Sequence, residues 1–246
     1  MEKQASPQAI NNTFYDELEE GWYTAQDHPI ALLRAENAVR VPWIIEQIGE
    51  KKVVLDIGCG AGILTNALAK AGHTVSGIDL SESSLHIAKK YDETAKVTYL
   101  NASAYALPFP NDHFDVVCAM DVLEHVEDPA QLIKEASRVL KAGGLFFFHT
   151  FNRNLLSYLL VIKGVDWCVP NAPKNMHVYP LFIKPKELDK LCKKHDMQVQ
   201  AFHGFIPKIF SFALIKMILK RKVPEDFGFR FSKSLTTGYC GIAKKN

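Results

Sequence analysis

The stretch from Val53 to Gly62, VVLDIGCGAG, constrains the fold more than any other part of the chain. It opens as an apolar run rich in branched residues, which reads as a buried parallel strand. It then breaks into glycines at 58, 60 and 62, and Ile63 to Lys70 follows with helical spacing and good helix formers. Strand, glycine turn and helix form the first βα unit of a nucleotide-binding sheet. The glycines let backbone pass close to a ligand at the strand's carboxyl end. The spacing is G-x-G-x-G, and Ile63 stands where a dinucleotide fingerprint would have its third glycine. Asp56 lies directly before the loop, where it disfavours a pyrophosphate and favours a ligand carrying an ammonium group.

A second strand, His73 to Asp79, ends in an acid placed to accept from both hydroxyls of a ribose. Together the two units resemble motifs I and II of the class I S-adenosylmethionine-dependent methyltransferases more than a nicotinamide enzyme. The resemblance implies a Rossmann-like α/β fold: seven strands, helices on both faces, strand seven antiparallel.

Charge is unevenly spread. Residues 204–246 hold nine Lys/Arg against Glu225 and Asp226, while the rest carries 20 basic and 25 acidic residues. Basic and aromatic residues are not interleaved as in a nucleic-acid module, so no nucleic-acid partner is expected. Five cysteines without metal spacing read as reduced thiols of a cytoplasmic protein. The polar N-terminus lacks the apolar core of a signal peptide, and no apolar run reaches the ~18 residues of a spanning helix.

In chain order, Ile10, Phe14, Leu18 and Trp22 predict an amphipathic helix over 8–23, and a second helix follows over 31–47. Ser81 is the expected cap of a helix after strand two. Further strands are expected at 97–100, 114–120, 145–150, 197–202 and 239–243. One domain, 1–246, accounts for the chain: cap helices 8–48, core 51–150, a lid-like insertion 151–184 and a C-terminal part 185–246.

Three further stretches narrow the resemblance: MDVLEHVEDP over 120–129, TFNRNLLSY over 150–158, and HVYPLFIKPKEL over 177–188. They resemble the ubiquinone-biosynthesis O-methyltransferases, which methylate polyprenylated catechols and hydroxyphenols. The resemblance implies cofactor contacts at Arg40, Asp56, Gly58, Gly60, Asp79, Leu80, Ser103, Ala104 and Met120. Ser103 stands where most members have an adenine-reading aspartate, which leaves the backbone at Ala104 to serve. An alternative for Arg40 is a solvated helix position.

The resemblance also implies divalent metal binding (Mg²⁺, Mn²⁺ or Zn²⁺) by Asp121, Glu124 and His125, since i, i+3 and i+4 share one face of a helical turn. A helix-capping or pocket-lining role for the same residues stays open. A phenol with pKa near 10 is about one part in a thousand ionised at pH 7, so full ionisation is worth roughly 4 kcal/mol of barrier. A metal or a base would supply that. His149 ends strand five but departs from the family, and His177 is equally a packing residue.

The apolar stretches 155–162 and 205–219, the second followed by Lys220, Arg221 and Lys222, suit either a lid over a lipophilic substrate or peripheral contact with an anionic membrane. The expected function is S-adenosylmethionine-dependent O-methylation of a phenolic or catecholic hydroxyl of a ubiquinone-type precursor. Methylation of another lipophilic or secondary-metabolite phenol, or a catalytically silent cofactor-binding subunit, are the alternatives.

Overall fold

The computed structural model describes residues 10–208 and 211–246. Residues 8 and 9 of the first expected helix, and Ile209 and Phe210 of the second apolar stretch, lie outside them.

The helices are α1 (Gly21–Thr24), α2 (Ile30–Ile48), α3 (Ile63–Lys70), α4 (Glu82–Lys90), α5 (Pro129–Val139), α6 (Leu155–Ser157), α7 (Gly164–Cys168), α8 (Pro185–Lys194) and α9 (Phe212–Lys220). A π-helical stretch, Tyr158–Lys163, joins α6 to α7. The strands are β1 (Val53–Ile57), β2 (Thr74–Asp79), β3 (Thr98–Asn101), β4 (Phe114–Met120), β5 (Leu140–Phe151), β6 (Met197–Pro207), β7 (Phe229–Ser232) and β8 (Gly238–Lys245). They form one sheet in the order β3-β2-β1-β4-β5-β8-β6-β7. β1 to β5 pair in parallel, and β8 runs antiparallel between β5 and β6, as the last strand was expected to.

Alternation along the strands divides the core between two faces. Val54, Val116 and Phe147 pack with α2, α3 and α9, while Leu55, Val117, Phe146 and Phe148 pack with α5 and α8. Local sequence starts the helices cleanly. Ser81 accepts from the Ser84 N–H at 3.1 Å at the head of α4. Asp128 accepts from the Gln131 N–H at 3.0 Å, with Pro129 in the first turn of α5.

Two expectations need correction. The sheet has eight strands: β6 runs on to Pro207, and β7 pairs with it antiparallel from Gly204 to Pro207. Phe205 stacks on Phe229, ring centroids 5.3 Å apart, which fixes that edge. The helix expected over 8–23 is broken into a 3₁₀ turn, Thr13–Glu17, and α1. Glu19 between them is left-handed, φ 44°, and Gly21 follows. Of the apolar side chains in this stretch Phe14 and Trp22 are buried, while Ile10 and Leu18 are half-buried. Arg34 of α2 then reaches back to the carbonyls of Gly21, Trp22 and Ala25.

Candidate active site

The glycine loop lies over the carboxyl ends of β1 and β2. Gly58, Gly60 and Gly62 all have positive φ. A Cβ at Gly60 would sit 2.6 Å from Trp22, so the cap can lie on the loop only because glycine is there. Asp79 holds the loop from the next strand: one carboxylate oxygen accepts from the Gly60 N–H at 2.9 Å, the other from Ser81 N–H at 2.9 Å. Asp56 is buried and accepts from the Thr65 hydroxyl at 2.6 Å; burial pushes its carboxyl up to about 7. A neighbouring ammonium would hold it ionised.

These groups open onto a cavity of about 590 Å³. Asp56, Gly58, Gly60, Asp79, Leu80, Ala104 and Met120 line it, joined by Tyr15 and Trp22 from the cap. Leu80 is 70% exposed, an apolar side chain left free beside Asp79. The wall leaves Ser103 out; its hydroxyl accepts from Tyr105 N–H at 3.2 Å. Asn12, Tyr15 and Trp22 carry no motif that would have singled them out, since a cap residue looks like any surface-helix residue. Asn12 reaches His125, its amide donating to the carbonyl at 3.0 Å and its oxygen facing Nδ1 at 3.1 Å.

Arg40 lies outside the cavity wall and is fully buried, not solvated. Its guanidinium donates to both oxygens of Asp121, at 2.7 and 2.5 Å, and sits 3.2 Å from Glu36. Burial alone would raise the Asp121 carboxyl, but Arg40 and then His149 outweigh it and hold it well below the usual range. His149 Nδ1 bonds Asp121 on the same side.

The expected metal set is therefore divided. Asp121 is left-handed, φ 59°, and only a 3₁₀ turn, Leu123–His125, follows it. There is no α-helical turn to bring i, i+3 and i+4 to one face, so Asp121 turns to α2. Glu124 and His125 are joined instead by His177, with one ligand atom from each lying within 4.8 Å of the others. Both Glu124 oxygens are buried without a hydrogen-bond partner, and burial followed by the Asp121 charge raises its carboxyl. An orphaned carboxylate beside two imidazoles fits a divalent cation; Asp121, with its oxygens already engaged, does not.

Residues 55–148 match the methyltransferase domain family. The ubiquinone biosynthesis O-methyltransferase of Thiobacillus denitrificans is 39% identical over 196 residues, 77% of this chain and 83% of that protein. That of Azoarcus sp. is 34% identical over 220 residues, 86% of this chain and 93% of that protein. The chain belongs to the ubiquinone biosynthesis O-methyltransferase family. It is an S-adenosylmethionine-dependent methyltransferase. Among solved structures, magnesium protoporphyrin IX methyltransferase from Synechocystis PCC 6803 with bound SAH shares the fold. Its TM-score is 0.65 at 18% identity, covering 96% of each chain. A Thermotoga maritima S-adenosylmethionine-dependent methyltransferase, possible histamine N-methyltransferase, gives 0.64 at 19%, covering 94% of this chain and 98% of that one. The cavity has room for the cofactor: glycines clear its floor, and the Asp56 and Asp79 carboxylates line its polar end.

Proposed function

We propose that this methyltransferase acts on a phenolic or catecholic hydroxyl of a ubiquinone-type precursor, with Asp79 on the cofactor ribose and Asp56 toward its ammonium. The observation that carries the reading is the two-ended cavity. Beyond the polar cofactor loop its wall is apolar, made by Leu160 and Val165 of the α6–α7 segment, Leu214 and Met217 of α9, and Phe227 and Phe229. Such a wall suits a lipophilic tail, and the relatives' names give the acceptor class. Methyl transfer measured over catechols of increasing prenyl length should rise in kcat/KM with the first isoprene units. No turnover on any phenol, or equal turnover with and without a prenyl tail, would sink it.

A divalent cation on Glu124, His125 and His177 belongs to the same proposal. When bound it would polarise the acceptor hydroxyl. Exhaustive chelation should lower turnover while leaving affinity for S-adenosylhomocysteine unchanged, and Glu124→Gln should lower the bound metal. Full activity of chelated enzyme would remove the metal.

The cavity's apolar walls also have outer faces. Leu155, Trp167, Phe212 and Leu219 are exposed, as are Lys220, Arg221 and Lys222, which follow Leu219. No helix among the described residues is long and apolar enough to cross a membrane. Peripheral docking on an anionic bilayer would bring the cavity mouth to a membrane-dissolved substrate. Each basic residue adds about 1 kcal/mol of attraction, screened over about 10 Å at 0.1 M salt. Lys216 contributes less, since Asp226 lies 3.2 Å from it. Salt-sensitive co-sedimentation with anionic vesicles is expected, lost when residues 220–222 are changed to glutamate. Wild type left in the supernatant at low salt would confine these segments to lining the cavity.

A further inference from the structure

The reaction needs a proton acceptor, and we infer that His149 is the general base of methyl transfer, with Asp121 as its positioning residue. The inference rests on the phenol-methylating reading above and adds a residue to it. His149 sits on β5 between Met120 of β4 and Cys240 of β8 in register, and it lines the cavity that also contains Gly58 and Asp79.

Its two ring nitrogens have opposite surroundings. Nδ1 meets Asp121, which Arg40 keeps ionised, so Nδ1 carries the hydrogen and donates it. In the neutral ring Nε2 is then a bare lone pair. It is buried and has no hydrogen-bond partner. Unpaired buried nitrogens are uncommon and call for an explanation. Gly238, also in the cavity wall, keeps one side of it clear: a Cβ there would lie 2.8 Å from Nε2. The arrangement is nucleophile activation by a base that a carboxylate orients.

Other groups in the cavity serve less well. Glu124 is grouped with His125 and His177 as a ligand of the proposed cation. His125 has Nδ1 occupied by Asn12. The charged and titratable groups around His149 are Asp121, Arg40 and Glu36 from α2, Cys240 from β8, and His177. Burial lowers the His149 imidazole and Asp121 opposes it, so the ring rests neutral and its cation forms beside a carboxylate.

The step balances. The acceptor O–H proton passes to Nε2 as an oxygen lone pair forms the bond to the methyl carbon. The carbon–sulfur bond breaks with its electron pair on sulfur, which becomes a neutral thioether. Asp121 faces the resulting imidazolium, which gives its proton to water as product leaves.

The test uses His149→Gln and His149→Asn on a prenylated catechol that wild type turns over. At pH 7 we expect kcat to fall about 100- to 10,000-fold. KM and calorimetric affinity for S-adenosylhomocysteine should stay within about twofold, which also certifies folding. The loss should shrink about tenfold per pH unit as pH approaches the hydroxyl's pKa near 10, because the ionised acceptor needs no base. Wild-type kcat in either variant, a loss equal at every pH, or a loss that follows cofactor affinity would overturn the assignment. Wild type without turnover on any phenol is scored before the variants; it overturns the acceptor reading and this assignment with it.

Discussion

Arg40→Met should destabilise the protein by about 3–5 kcal/mol at pH 7, read from urea unfolding. With His149 neutral, Arg40 is the only cation touching Asp121 among the described residues, and it also faces Glu36. Methionine replaces the aliphatic stem but leaves the mostly buried Asp121 carboxylate without its counter-charge. Breaking a buried pair costs more than the pair contributes, since the survivor keeps its desolvation penalty. The pH dependence has a definite sign. The folded Asp121 carboxyl lies below its unfolded value near 4, so its stabilisation is present above that pH and is lost as pH falls through the folded pKa. Burial raises Glu36, with Arg40 opposing, so Glu36 favours the folded state as it takes a proton. The variant's deficit should therefore be largest near neutrality and shrink in acid. A deficit under about 1 kcal/mol at pH 7 would mean that the fold tolerates the Asp121 charge without Arg40.

Arg40 also shows where sequence reading stops. Spacing places it on α2 but cannot say that the helix turns this residue inward, because its partner is 81 positions away. Asp121 is the same case. Its identity was legible; its left-handed backbone was not, and that one dihedral decides whether it joins Glu124 and His125 or leaves them. What could be read in advance was local chemistry: the glycine turn after β1, the acid ending β2, Ser81 as a cap, and strands marked by apolar runs. The eighth strand escaped because Phe229–Ser232 is four residues long and has meaning only against the extended end of β6. His149 was visible as a residue at a strand end, but its value as a base depends on two contacts made by distant segments, Asp121 behind it and Gly238 beside it.

Asp79→Ala should weaken S-adenosylmethionine binding by about 1.5–3 kcal/mol, the usual range for a charged hydrogen bond, or about 10- to 150-fold. Two losses combine. The ribose would lose its carboxylate partner, and Gly60 and Ser81 would lose the acceptor that holds their N–H groups at 2.9 Å. The loop's positive-φ glycines give it little stiffness of its own, so its shape depends on that tether. Asp79→Asn separates the two effects. An amide keeps one oxygen for a backbone N–H but presents an NH₂ group to the other and has no charge for the ribose. Its affinity should fall between wild type and Asp79→Ala. Calorimetry with S-adenosylhomocysteine measures both, and urea unfolding without ligand shows whether the tether or the ribose contact dominates. If Asp79→Ala binds S-adenosylhomocysteine as wild type does, then Asp79 serves the loop alone. The ribose must then be held elsewhere along the wall formed by Leu80, Ala102 and Ala104.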